Sequence, residues 1–325
     1  MADTDPDDDS SISETAPESR QGDLTAEAKQ HLNEARNEPE EAVDARTRLV
    51  ELLSAERSST SVERELERRA AASGALVMAT RSDPARLAES VPALMRELRA
   101  ELDRTVPDGS RECRGLSRVV RSQLVASVGN VLADSPGAVT EVDTLTHVTD
   151  AVSTNLDDRA VRAATRAFFA VADERPETLV PAADSLGVVV AYPDDVVQAL
   201  GAGTLGRLAA EHPDSVATNA DELGGLLDHD DGRVKHNAVE ALATLADSRP
   251  DAVAPVADRL RERLDHEDVA IQHNAAGALG RLSEEHPAAV RPAVPDLQKL
   301  RDHDHRAVRR VATDALARLP ADPSR

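Results

Sequence analysis

Apolar residues recur along most of the chain in pairs of segments, and both segments of a pair have helical spacing. The segment before Pro250 carries apolar residues at offsets of four, four and three: Val234, Ala238, Leu242 and Leu245. This spacing is typical of one buried stripe on an amphipathic helix. The segment after Pro250 has a stripe of the same kind: Val253, Val256, Leu260 and Leu264. The pattern predicts a helix, a short turn that carries the proline, and a second helix.

A proline opens the second segment of each of seven such pairs: Pro39, Pro84, Pro136, Pro176, Pro213, Pro250 and Pro287. The last four follow one another at a constant interval of 37 residues. A constant period of this length indicates a stack of similar helical units. The proline ends the first helix because the residue before it is pushed out of the α region, while its own fixed φ suits the start of the next element.

The earlier intervals are longer and locate two insertions. The interval from Pro84 to Pro136 is 52 residues, and the residues in excess of the 37-residue period lie near 105–115. The interval from Pro39 to Pro84 is 45 residues, and its extra residues lie near 54–60. A last lone helix is predicted over 306–319. We therefore predict a disordered acidic tail over residues 1–22, which has almost no large apolar residue, and an all-α solenoid over residues 23–325. The solenoid has about seven helical hairpins and a C-terminal capping helix.

The repeat resembles the HEAT-repeat family, and within it the phycobilisome-lyase type, whose first helix reads roughly V-R-x-x-A-A-x-A-L-G. The resemblance rests on residues 271–280 (IQHNAAGALG), 234–243 and the VPDL of 294–297, and it extends over most of residues 40–320. It implies a right-handed α-solenoid whose second helices line the concave side. The resemblance does not select a function, because HEAT arrays serve as binding scaffolds, lyase subunits and a di-iron hydroxylase.

The charge of the chain limits the kinds of molecule that it can bind. Acidic residues number 60 against 38 basic ones, the net charge is −22, and only Lys29, Lys235 and Lys299 are lysines. This composition resembles that of cytoplasmic proteins from salt-accumulating archaea, where a Debye length of about 3 Å at 1 M salt makes such repulsion tolerable. We interpret the acidity as adaptation to a halophilic environment. Nucleic acid is excluded as a partner, because phosphate binding requires a basic face.

The sequence contains no signal for export or membrane insertion. The N-terminus lacks an apolar signal-peptide core, and no segment approaches the roughly 18 uninterrupted apolar residues of a membrane span. We therefore expect a cytoplasmic protein with no membrane partner. Its single cysteine, Cys113, falls in the predicted loop near 105–115 and is interpreted as an incidental thiol.

Two histidine series are the candidates for metal chemistry. His236 and His273 lie one period apart near the start of successive first helices, where the HEAT-type hydroxylases have His-Glu pairs that hold two irons. Here asparagine follows each histidine, and packed helices about 10 Å apart hold them too far from each other for one metal. The second series, His229, His266 and His303, lies in acidic turns, where we expect a structural role beside aspartate N-caps. We predict no cofactor and no metal.

With no cofactor and no metal predicted, we expect the function to depend on a binding surface. On the second helices we expect a mostly acidic groove presenting Asp184, Asp221, Glu222, Asp258, Arg259, Glu262 and Asp296. All three aromatic residues, Phe168, Phe169 and Tyr192, belong to the unit around Pro176. Phe169, Val188 and Tyr192 lie off the expected stripes. They are either anchors for a partner or a local repacking beside small neighbours.

These features favour a non-enzymatic scaffold or adaptor that binds another protein. The predicted contact residues are Phe169, Val188, Tyr192, Asp221, Glu222, Asp258 and Glu262. The alternative is an enzyme related to the phycobilisome lyases or the deoxyhypusine hydroxylases.

Overall fold

The computed structural model describes residues 21–55, 61–104, 110–139, 143–152 and 156–320. Its elements form seven helical hairpins, which we number 1 to 7 along the chain, and a final capping helix. The first helix of each hairpin is called its A helix. The A helices of hairpins 1 to 7 and the capping helix are Gln21–Asn37, Val62–Ser82, Arg111–Asp134, Asp158–Glu174, Asp195–Glu211, Gly232–Ala246, Val269–Glu285 and Arg306–Arg318.

The second part of each hairpin, called its B segment, is built of shorter pieces. Its α-helices are Pro39–Asp44 and Arg46–Ser54 (hairpin 1), Val91–Leu102 (2), Asp143–Val152 (3), Leu186–Val190 (4), Pro213–Val216 and Ala220–Gly225 (5), Pro250–Val253 and Ala257–Glu262 (6), and Pro287–Val290 and Val294–Leu300 (7). Short 3-10 turns join or flank these helices. No strand occurs in the described ranges. The predicted all-α solenoid of seven hairpins and a capping helix is confirmed.

The B segments differ from the continuous second helices that the spacing predicts. In hairpins 4, 6 and 7 a 3-10 turn contains an interior proline, Pro181, Pro255 or Pro292. Proline lacks the N–H that an α-helix needs at an interior position, so the helix is interrupted there. Hairpin 5 has the same interruption at Ala217–Asn219 without a proline, so the irregular path belongs to the repeat and is not caused by proline alone.

The predicted apolar stripes form the core. Val234, Leu242, Leu260 and Leu264 are all buried, and the core continues without a break through the hairpins. The A helices also pack directly on one another. At Gly129 this approach is so close that an added Cβ would lie 2.5 Å from the backbone carbonyl carbon of Ala163.

The turns between hairpins are held by side-chain contacts to the backbone. Asp157, Asp194, Asp231 and Asp268 each accept a hydrogen bond from an amide in the first turn of the following A helix. The three turn histidines share one contact, because Nδ1 of His229, His266 and His303 accepts from the backbone N–H two residues later at 2.9–3.0 Å. Aspartate capping was expected, and the histidines complete the same turn.

Cys113 is not in a loop, and this prediction was wrong. It lies in the first turn of the A helix of hairpin 3, is 7% exposed, and its N–H donates to Ser110 Oγ at 3.0 Å. Ser110 is a good N-cap and Glu112 favours the positive end of the helix dipole, so the helix starts directly after the loop signal. Residues 1–20 of the predicted tail, 56–60 of the first insertion and 105–109 of the second lie outside the described residues, whereas residues 21 and 22 already belong to the first A helix. Among the described helices, none has the length and hydropathy to span a membrane.

A candidate binding groove on the A helices

Two adjoining grooves run across the A helices of hairpins 4 to 7 and the capping helix. The first, of about 460 Å³, lies over hairpins 4, 5 and 6, and the second, of about 400 Å³, lies over hairpins 6, 7 and the capping helix. Both include Glu240 and Thr244. The two grooves therefore form one surface, which we call the A groove, across five successive helices.

Small residues shape the floor of the A groove. Gly206 faces Ala241 of the next A helix, where an added Cβ would lie 3.3 Å from the alanine Cα. Gly280 faces Ala315 in the same way, where an added Cβ would lie 3.1 Å from the alanine Cβ. Side chains larger than methyl would separate the helices at these points, so the glycines bring the A helices together and leave a depression above them.

Phe169 occupies the slot that Gly206 and Gly280 fill one and three repeats later. Its ring reaches the next A helix at Gly203, where an added Cβ would lie 2.9 Å from Phe169 Cε2. At this junction a glycine on the facing helix makes room for the ring. The guanidinium of Arg207 covers the half-buried ring at 3.8 Å from its centroid. Phe169 therefore forms an aromatic wall of the A groove.

The charges that line the A groove are balanced. The groove contains four carboxylates and four guanidinium groups: Asp173, Glu240, Asp247, Asp314, Arg207, Arg281, Arg310 and Arg318. Arg207 Nε donates to Asp173 Oδ1 at 2.8 Å, and Arg281 is hydrogen-bonded to Asp247 in the same manner two repeats later. Each pair joins neighbouring A helices. This surface consequently differs from the chain as a whole, whose net charge is −22.

The predicted acidic residues lie elsewhere. Asp221, Glu222, Asp258 and Glu262 are exposed on the B segments of hairpins 5 and 6, and none of them lines the A groove. Three other charged residues predicted there have local partners: Asp184 accepts from Thr218, Lys299 donates to Asp296, and Arg259 donates to the carbonyl of Gly224. The two cavities of the A groove thus lie on the A helices and not on the second helices, where the resemblance located the concave side.

Val188 and Tyr192 lie outside the A groove as well. Val188 is 43% exposed on the B segment of hairpin 4. Tyr192 occupies the turn position that His229 and His266 fill in the next hairpins, and its hydroxyl donates to Asp158 Oδ1 at 2.7 Å. Burial raises the pKa of Tyr192 to about 12, and the hydrogen bond to the Asp158 carboxylate adds to the shift. The structure therefore separates Phe169 from the other predicted contact residues.

The paired histidines do not converge. His236 Nε2 lies 3.7 Å from Glu240 Oε2 on its own helix, whereas His273 lines the A groove beside Asn274. Asn237 Nδ2 donates to the carbonyl of Ala199 at 2.7 Å, which ties the A helices of hairpins 5 and 6 together. In the described part of the chain, the one group with metal-ligand spacing is a different one: Asp251, Glu285 and His286.

Sequence reasoning missed the A groove, although a signal for it exists. Gly206 and Gly280 stand two periods apart with Ala243 between them. A periodic small residue on a helix face outside the buried stripe indicates a close helix approach.

Comparisons with known proteins identify a repeat-family model and similar solved structures. Residues 232–282 match the family model of the HEAT-like repeat. Among solved structures, a designed armadillo repeat protein in complex with peptide (KR)4 is 18% identical with a TM-score of 0.52, covering 71% of this chain and 99% of that chain. An engineered protein is 20% identical with a TM-score of 0.48, covering 94% of this chain and 96% of that one. No curated protein matches significantly. Residues 232–282 are thus similar to a HEAT-like repeat, and the described chain as a whole has the fold of an all-helical solenoid.

Proposed function

We propose that the protein is a non-enzymatic scaffold that binds an extended segment of another protein in the A groove. The observation that carries the proposal is that the two cavities share Glu240 and Thr244, so that side by side they extend over five successive helices. Cavities of this size hold several side chains. Phe169, half-buried at one end, is the natural hot spot, because aromatic anchors dominate binding free energies.

The chemistry of the groove favours a segment of mixed charge. Its carboxylates and guanidinium groups are equal in number, so a purely basic or purely acidic segment would meet as many like charges as opposite ones. The designed armadillo protein was solved with the peptide (KR)4. The balanced lining of the A groove argues against the same preference here. We further propose that binding takes place in a salt-rich cytoplasm, where the acidic surface is screened.

Peptide selection followed by hydrogen exchange tests the proposal. Peptides selected from a random library on the full chain in molar KCl should protect amides of the A helices over residues 158–174, 195–211, 232–246 and 269–285. Mixed-charge peptides should be selected over peptides like (KR)4. Protection confined to the B segments 213–228 and 250–265 would instead favour the acidic surface around Asp258.

Two variants give a matched comparison. Thr244→Arg introduces the residue that Arg207 and Arg281 already place in the equivalent slots, so the helix tolerates it, yet it fills the point that the two cavities share. We expect it to weaken peptide binding at least tenfold, about 1.4 kcal/mol. Glu262→Arg changes the charge in the same direction by two units, against one unit for Thr244→Arg, but on the B surface, and should leave binding unaltered. The opposite ranking of the two variants would overturn the A groove as the site.

A further inference from the structure

A group of three potential metal ligands joins hairpins 6 and 7 on a different part of the molecule. Asp251 lies at the start of the B segment of hairpin 6, Glu285 is the last residue of the A helix of hairpin 7, and His286 follows it. One ligand atom from each lies within 4.8 Å of the other two. His286 Nε2 and Asp251 Oδ1 are 2.8 Å apart.

The preceding junction shows what these positions hold when they form an ordinary ion pair. One period of 37 residues earlier, the slots of Asp251, Glu285 and His286 contain Asp214, Ser248 and Arg249. Arg249 Nη1 donates to Asp214 Oδ1 at 2.7 Å. At the later junction the permanent cation is replaced by an imidazole, and a second carboxylate is added. That junction therefore has two negative charges without a fixed positive one.

The contact between His286 and Asp251 is not a hydrogen bond. Nε2 is shielded from solvent, and its N–H direction does not meet Asp251 Oδ1 or any other acceptor among the described residues. No lysine or arginine of the described chain forms a salt bridge with Asp251 or Glu285. The Asp251 side chain is 74% exposed, so its carboxylate is solvated, and the unsatisfied group is Nε2 of His286. A metal ion bound to both Nε2 and Asp251 Oδ1 would give this shielded nitrogen a partner.

The distance fits a shared metal ion. Two ligand atoms bound at about 2.0–2.1 Å to one Zn²⁺ lie about 2.8–3.4 Å apart for bond angles between a right angle and a tetrahedral one. Glu285 is exposed, and its flexible side chain can close the remaining gap. One imidazole with two carboxylates is a donor set that suits Zn²⁺ and similar divalent ions, and three protein ligands leave a position for water.

We propose that Asp251, Glu285 and His286 form a Zn²⁺ site that clamps hairpin 6 to hairpin 7. The site is independent of the A groove, since none of its residues lines that groove. Zinc bound there links the start of one B segment to the end of the next A helix. It therefore stabilises the C-terminal half of the array, because a ligand that binds only the folded state shifts the unfolding equilibrium.

Titration of the full chain with ZnCl₂, followed by calorimetry and thermal melts, tests the site. The wild type should bind one Zn²⁺ in this site and melt at a higher temperature when it is loaded. His286→Arg restores the ion pair seen between Arg249 and Asp214, so it should fold, lose the site and show no zinc-dependent shift. His212→Arg is the matched control. This variant changes the equivalent position at the junction of hairpins 4 and 5. There Glu177 takes the place of Asp251 and lies 3.6 Å from Arg175. The variant should leave zinc binding intact.

Glu285→Gln keeps the test decisive if His286→Arg does not fold. It should weaken zinc binding by about tenfold or more, since even a residue that only supports a ligand is worth about tenfold in affinity. Absence of binding at millimolar zinc would overturn the proposal. So would a binding isotherm that His286→Arg or Glu285→Gln leaves unchanged.

Discussion

Phe168 and Phe169 are adjacent in sequence but have opposite environments. Phe168 is fully buried in the stripe of its helix, whereas Phe169 is half-buried under Arg207. Truncating Phe168 to Ala should therefore lower the unfolding free energy by about 3–5 kcal/mol, as buried aromatic deletions do. Truncating Phe169 to Ala should cost only about 1 kcal/mol, because it removes one exposed cation–π contact and little core. Chemical denaturation of both variants measures the difference.

The same pair separates folding from binding. Phe169→Ala should weaken binding of a selected peptide by about 2 kcal/mol or more if it is a hot spot. Equal losses of stability in the two variants would mean that Phe169 is a core residue. If Phe169→Ala loses the fold but shows no selective loss of peptide binding, Phe169 is not an anchor for the partner.

Asp231 provides a titratable test at the start of hairpin 6. Hydrogen bonds from the side chain and backbone of Arg233 lower the pKa of Asp231 to about 2. A carboxyl with a lowered pKa contributes stability above its unfolded pKa of about 3.9, and this contribution is lost as the pH falls towards 2. Asp231→Asn retains a capping acceptor but not the charge. The wild type should melt above this variant at pH 7, and the difference should shrink between about pH 4 and pH 2. A constant difference would contradict the assigned charge effect.

Close packing of the A helices can be tested within one helix. A Cβ at Gly129 would meet the backbone of Ala163 and Ala164 at 2.5–2.8 Å, whereas a Cβ at Gly115 would meet nothing within 4 Å. Gly129→Ala should destabilise by about 1–3 kcal/mol or more, since backbone cannot move aside as a side chain can. Gly115→Ala should stabilise by up to about 1 kcal/mol through helix propensity alone. Thermal melts that rank the two variants equally would mean that the helices separate easily.

The hairpins could be predicted from sequence because proline acts locally. Pro213, Pro250 and Pro287 each begin a helix, as the pattern indicated. Cys113 was misplaced because the cap at Ser110 begins a helix immediately after a strong loop signal. The candidate site was harder to predict. The A groove and the group at His286 depend on how successive hairpins approach one another, which a stripe of apolar residues does not specify.

Charge determines the conditions under which the whole array is stable. A solenoid has little core to oppose the repulsion of −22 net charges. We expect the melting temperature to rise from about 0.1 M to about 3 M KCl, over which the Debye length falls from about 10 Å to below about 3 Å. Replacing four exposed carboxylates by amides should raise the melting temperature at low salt and change it little at high salt. The four residues are Asp221, Glu222, Asp258 and Glu262. A melting temperature that does not change with salt would refute the halophilic interpretation.

The contacts between units have one further property in common: each reaches only to the adjacent hairpin. Arg207 with Asp173, Arg249 with Asp214 and Asn237 with Ala199 are all separated by 34 to 38 residues. Arrays of this kind can lose units one at a time. The only tyrosine, Tyr192, lies in the turn between hairpins 4 and 5 and is hydrogen-bonded to Asp158 at the start of the A helix of hairpin 4, and the chain has no tryptophan. Its ultraviolet emission is thus a built-in local probe, and a mismatch between its melting curve and that of circular dichroism would reveal unfolding in pieces.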